Sequence, residues 1–123
     1  MNHQLPHRRY PCAECPWRKD TPPGQFTAGR YEALRGTSGS PGSEAAFGAP
    51  MFACHKSPEG REESCAGWLA VAGIDHLGIR LAVARGHLPA SALAPGDGWP
   101  ELFAAYDDMA AAQGRDDPDT PGR

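Results

Sequence analysis

No run of apolar residues in this chain is long enough for a secretory signal or a membrane span, and it opens on polar Asn2, His3 and Gln4. The expected compartment is therefore the reducing cytosol, where cysteines serve as metal ligands or redox groups more often than as disulfides. Excess positive charge is also missing, since 12 Lys and Arg stand against 15 Asp and Glu for a net charge of -3. That balance argues against a dedicated nucleic-acid binder, as does the lack of an RNA-recognition or helix-turn-helix signature. There is no internal repeat. His3, His7, His76 and His87 form no H-x3-H pattern, so each reads as a solvated or helix-face histidine. Cysteine is scarce, with four in 123 residues, and each can be considered by itself.

Those four are Cys12 and Cys15, in Pro-Cys-Ala-Glu-Cys-Pro-Trp-Arg, then Cys54 and Cys65. A C-x2-C pair on a tight turn can aim both sulfurs at one point, which is how zinc sites of four cysteines, or of three and a histidine, commonly begin. The 38 residues between Cys15 and Cys54 are no obstacle to a shared site, because the entropy of closing a loop grows only logarithmically with its length. The expected site is a structural zinc held by Cys12, Cys15, Cys54 and Cys65. Four thiolates leave no position for water or substrate, so a non-enzymatic role is the favoured reading. An iron-sulfur cluster is the alternative for the same thiolates, and a proline directly after a ligand, as in Cys15-Pro16, also occurs beside clusters. A thiol redox pair fits less well, because Pro11 and Pro16 flank Cys12 and Cys15 and no β-α-β pattern surrounds them. As disulfides the four would allow three pairings, among which the sequence does not choose.

Glycine and proline are plentiful, 15 and 13 respectively, so much of the chain is expected in turns and the packed portion is small for its length. A fold of this kind is mainly α, a small irregular domain stapled by metal, with about three to four helices and long Gly/Pro-rich loops. Thr27 is a good N-cap for the first helix, with Phe26 and Tyr31 placed to close a hydrophobic staple, and the helix should stop near Gly36. Residues 36–48 lack periodicity and read as a mobile surface loop. A helix running from Pro58 would carry Cys65 about 10 Å along its axis, whereas two sulfurs on one zinc lie about 4 Å apart. Ser57 to Gly60 instead suits a type I turn that returns the chain toward Cys54, with a helix from near Arg61 placing Cys65, Trp68, Leu69 and Ala72 on one face. Gly73 interrupts this face, and Leu77, Leu81, Ala84 and Leu88 continue at helical spacing, as two helices or one bent one. A last segment opens at Pro100, with Leu102, Phe103, Tyr106, Met109 and Ala110 on one side and Asp107 and Asp108 facing away, and is expected to pack on the second.

Charge divides the chain further. Residues 1–20 carry Arg8, Arg9, Arg18 and Lys19 against Glu14 and Asp20, while from Asp97 onward seven acids face only Arg115 and Arg123. The organisation read from this is a flexible basic N-terminus over residues 1–10, one metal-binding domain over 11–113 and a disordered acidic tail over 114–123. His55, next to Cys54, has two roles open to it: a ligand in place of Cys54, or a group donating its N–H to a bound sulfur. Trp17, Arg18 and Lys19, with Lys56 brought near by the metal, are candidates for binding a protein partner or a nucleic acid, against the reading of Trp17 as the lid of a small core.

The strings PCAECPWR, MFACHKSPEG and CAGWLAVAG resemble a family of small proteins sharing a domain of unknown function, found mainly in actinobacteria and their phages. The resemblance runs from about Pro11 to Met109. It implies a shared metal site at Cys12, Cys15, Cys54, His55 and Cys65, and it supplies no activity.

Overall fold

Thr27 is extended and its hydroxyl accepts from the Arg30 amide at 3.1 Å, which opens helix α1, Ala28–Leu34, in this computed structural model describing residues 4–24, 26–54, 60 and 62–114. Phe26 and Tyr31 close the expected staple, with ring centroids 5.4 Å apart. A 3-10 turn, Arg35–Thr37, ends the helix one residue past Gly36.

The second helix starts later than its periodicity suggests. Instead of beginning near Arg61, α2 is Ala66–Ala72, with Cys65 extended as its N-cap. Residues 63–65 are otherwise engaged: the Cys54 amide donates to the Glu63 carbonyl at 2.7 Å and the Cys65 amide to Phe52 at 2.9 Å, around an antiparallel bridge between Ala53 and Ser64. Backbone paired in this way is not free to form a helical turn. Gly73 does end the face, through a 3-10 turn over Gly73–Asp75, and α3 follows as Leu77–Ala84. The turn resets the helical phase, so α3 buries Ile79 while Leu81 is 37% exposed, and only Leu88 of the outer part of the expected stripe is buried. His76, between the two helices, is wholly buried and is no solvated histidine. Its Nδ1 accepts from the Ile79 amide and its Nε2 lies 3.1 Å from the Ala49 carbonyl, which fits a neutral ring protonated on Nε2.

The last helix is likewise shorter than expected. Pro100 does not open it; α4 is Tyr106–Gly114. Residues 101–103 pair with 17–19 instead, the Lys19 amide donating to Glu101 and the Phe103 amide to Trp17, both at 2.9 Å. That pairing directs α4 onto α1 rather than onto α2. Tyr106 and Met109 are buried as the periodicity indicates, and Asp107 faces outward, where it pairs with Arg35.

Residues 36–48, expected as a mobile loop, are tied down. The Trp68 indole donates to Ser38 Oγ at 3.1 Å, and Ala45 exchanges bonds of 2.8 Å with Asp75 and Leu77. Gly39 fits so closely that a Cβ there would lie 2.5 Å from the Ala45 nitrogen. Before Pro11, the Leu5 amide donates to His87 and the Arg8 amide to Ser64, so packing extends into the N-terminal segment. The tail from residue 115 lies outside the described residues. The result is a small, mainly helical domain which, among the described residues, has four α-helices and no strand longer than isolated bridges. Its centre is aromatic: Trp17 meets Phe52 and Tyr106 edge-on at 6.0 and 5.8 Å, and Phe26 lies 6.4 Å from Phe52. Among the described residues no helix is long and apolar enough to cross a membrane.

Candidate functional site

The C-x2-C segment folds as two successive turns, the Cys15 amide donating to Cys12 at 3.0 Å and the Arg18 amide to Cys15 at 3.1 Å. The Thr21 hydroxyl donates to the same Cys15 carbonyl at 2.7 Å. Arg18 lies across the turn, with Nη1 3.3 Å from the Cys12 carbonyl and with Nε and Nη2 each 2.8 Å from the Asp20 carboxylate. The second pair is set by the short antiparallel pairing of residues 52–54 with 63–65, which lays the strand-like segment holding Cys65 alongside the one holding Cys54. Of the expected turn only Gly60, with φ 81°, is described; Ser57, Pro58 and Glu59, like His55 and Lys56, lie outside the described residues.

Cys15 and Cys65 meet with their sulfurs 3.5 Å apart, although 50 positions separate them in sequence. A hydrogen bond from the Cys65 thiol holds the Cys15 thiol below its ordinary range, aided by the amides of Trp17, Arg18 and Gly67. Cys65 is pushed well up by the same bond and by burial, with the Trp68 amide opposing. Burial pushes Cys12 up to about 11; the Glu14 amide opposes this, and the nearby sulfurs of Cys54 and Cys15 add to it. Cys54 lies near enough to Cys12 to raise its thiol, and Arg8 Nε donates to the Cys54 sulfur at 3.4 Å. All four predicted ligands are free thiols, with Cys15 and Cys65 in contact and Cys12 and Cys54 near them. Among the described residues, no three Cys, His, Asp or Glu side chains stand as a group that could hold a metal ion as they are.

Around the sulfurs the walls are tight. Cys15, Cys54 and Cys65 are buried and Cys12 is partly exposed. Gly67, in the first turn of α2, allows the closest approach: a Cβ there would lie 2.7 Å from Trp17 Cβ and 3.1 Å from the Cys15 sulfur. Of the residues expected to meet a partner, Trp17 is 0% exposed, so it is core and offers no stacking surface. Arg18 is occupied by Asp20 and the turn carbonyls, and Lys19 pairs with Glu101 at 2.9 Å.

Sequence reasoning missed several residues that build this site. Arg8 was read only as terminal charge, yet it reaches Cys54. Gln113 is buried at the end of α4, and its Nε2 faces the carbonyls of Pro16, Arg18 and Thr21 at 2.9, 3.2 and 3.3 Å, bracing the far side of the C-x2-C turn. A glutamine on the apolar side of a helix, four residues after Met109, was the available signal.

Comparison with curated proteins and with solved structures gives no match. A family model matches residues 7–122, a span that takes in all four cysteines and the packed residues on both sides of them. The chain belongs to a family of unknown function, DUF6283.

Proposed function

We propose that Cys12, Cys15, Cys54 and Cys65 bind one zinc ion as a structural site, and that the protein is a non-enzymatic binding or regulatory module. The observation that carries this reading is the approach of Cys15 and Cys65 to 3.5 Å from opposite halves of the chain, with Cys12 and Cys54 near them. The spacing of about 4 Å between thiolates on a tetrahedral zinc is close to that distance. The chemistry of the donors fits as well. Amides of Glu14, Trp17, Arg18, Gly67 and Trp68 point at three of the sulfurs and favour their thiolate forms. Four thiolates on a divalent ion leave two negative charges, and the Arg8 guanidinium, shared between Cys54 and Glu63, lies beside them. A closed set of four sulfurs supports stability and gives no vacancy for a substrate. The motifs PCAECPWR, MFACHKSPEG and CAGWLAVAG, and an actinobacterial or phage setting, belong to the same reading.

The test is metal analysis and the ultraviolet-visible spectrum of anaerobically purified full-length protein, with single Cys to Ser variants. One zinc per chain, lost in each of the four variants, is the expected outcome. Iron with sulfide and broad visible absorption would replace zinc by an iron-sulfur cluster at the same ligands. Four freely titratable thiols in a folded, metal-free protein would overturn the metal site altogether.

A further inference from the structure

Just ahead of the Cys12 turn, His7, Arg8 and Arg9 line two adjoining recesses of about 230 and 600 Å³. The smaller has an apolar floor and Trp99 in its wall; the larger is bounded by Tyr10 and the C-x2-C turn. Tyr10 is 50% exposed and meets Trp99 edge-on, with centroids 5.9 Å apart, so aromatic surface runs from one recess into the other. The indole is held in place: a Cβ at Gly96 would lie 2.8 Å from Trp99 Nε1.

The charge in this cleft is uneven in a telling way. Among the described residues, Arg8 faces Glu63 at 3.4 Å, while Arg18, Lys19, Arg35 and Arg80 also face carboxylates. Arg9 is exposed, lines both recesses and has no such partner among the described residues. Arg30 lies over the Phe26 ring, and Arg85, at the end of α3, is the other guanidinium without a carboxylate there; neither borders the cleft.

We propose that this cleft binds a short stretch of single-stranded nucleic acid, with a base on the Tyr10 and Trp99 surface and a phosphate on Arg9. Flat aromatic faces beside an uncompensated guanidinium match a base and its phosphate together. An acidic peptide would supply the charge and leave the rings unused, and a duplex needs a broad basic surface that a chain of net charge -3 does not provide. The proposal rests on the binding-module reading and not on the identity of the metal, and it moves the partner surface from Trp17 and Lys19 to residues 7–10 and Trp99.

The experiment is fluorescence anisotropy of a labelled oligothymidylate of about 12 nucleotides with the full chain across a range of salt. One or two phosphates neutralised give a slope of log K against log salt of roughly -0.7 to -1.4. Arg9→Gln is expected to weaken binding and flatten that slope by about 0.7. Tyr10→Leu, which keeps apolar bulk against Trp99, should weaken binding at least about fivefold with the slope unchanged. Arg85→Gln should change nothing. Circular dichroism and metal content matching the parent certify each variant. Absence of binding at low salt, equal losses from Arg9→Gln and Arg85→Gln, or equally good competition by an acidic peptide or a duplex would overturn the proposal. A zinc-bound chain that ignores the oligonucleotide defeats this inference alone; a metal-free chain that binds it in the stated pattern defeats the zinc site alone.

Discussion

Gly67 shows how closely a single position ties the sulfurs to the core. Its missing side chain lets α2 press on Trp17 and Cys15, and its amide points at the Cys15 sulfur. Gly67→Ala would force a methyl group to within 2.7 Å of Trp17 Cβ, an atom held by a ring with no room to move. Overpacking of this kind costs roughly 1–3 kcal/mol, so the urea midpoint should fall clearly. Gly36→Ala is the matched comparison: nothing lies within 4 Å of its added Cβ, and a stability gain of about 0.4–1 kcal/mol is expected from the stiffer unfolded chain. Equal midpoints for the two variants would mean that the α2 contact with Trp17 is looser than described. Neither glycine could be ranked from sequence, because the difference lies in what stands opposite each one.

At the scale of elements, α1 and α4 are joined by two buried tyrosines, the Tyr106 hydroxyl donating to the Tyr31 carbonyl. Burial is the main cause that pushes each phenol from 10.0 up to about 12. A group whose folded pKa is raised stabilises the fold fully below its unfolded value and loses that contribution as pH climbs through the folded one. The pairing of α1 with α4 is therefore expected to be unchanged up to about pH 10 and to fail between about pH 10 and 12. Tyrosinate absorbance and far-ultraviolet circular dichroism recorded together should move in step over that window. Phenol ionisation well below it, with helix content intact, would contradict the burial of this pair. The existence of α1 was legible in Thr27, Phe26 and Tyr31 because a cap and a staple are local devices. The partner of α4 was not, since the 17–19 with 101–103 pairing that aims it depends on residues more than 80 positions apart.

For the molecule as a whole, the cysteines join the C-x2-C turn to the 52–54 and 63–65 pairing and α2, alongside the packing of Trp17 on Phe52 and Gly67. On the zinc reading, stripping the metal with a strong chelator under reducing conditions removes on the order of 10 kcal/mol, comparable with the net stability of an ordinary domain. The expected result is loss of the near-ultraviolet circular dichroism of buried Trp17 and Trp68, recovered when zinc is returned. A spectrum indifferent to chelation would show that aromatic packing alone holds the fold.

By itself the sequence determined what is local or compositional: the capped start of α1, the break at Gly73, the mainly helical class, and the candidacy of Cys12, Cys15, Cys54 and Cys65, whose residue type and C-x2-C spacing are those on which the zinc proposal rests. The tertiary structure decided what depends on distant neighbours. It set the late starts of α2 and α4, because backbone amides at 63–65 and 101–103 found carbonyls elsewhere in the chain. It chose the core over a partner surface for Trp17, buried His76, which had read as a solvated or helix-face histidine, and left Arg9, Tyr10 and Trp99 facing one cleft. Hydrogen bonds within a turn are written in adjacent residues, whereas burial and charge compensation are sums over everything the folded chain brings near.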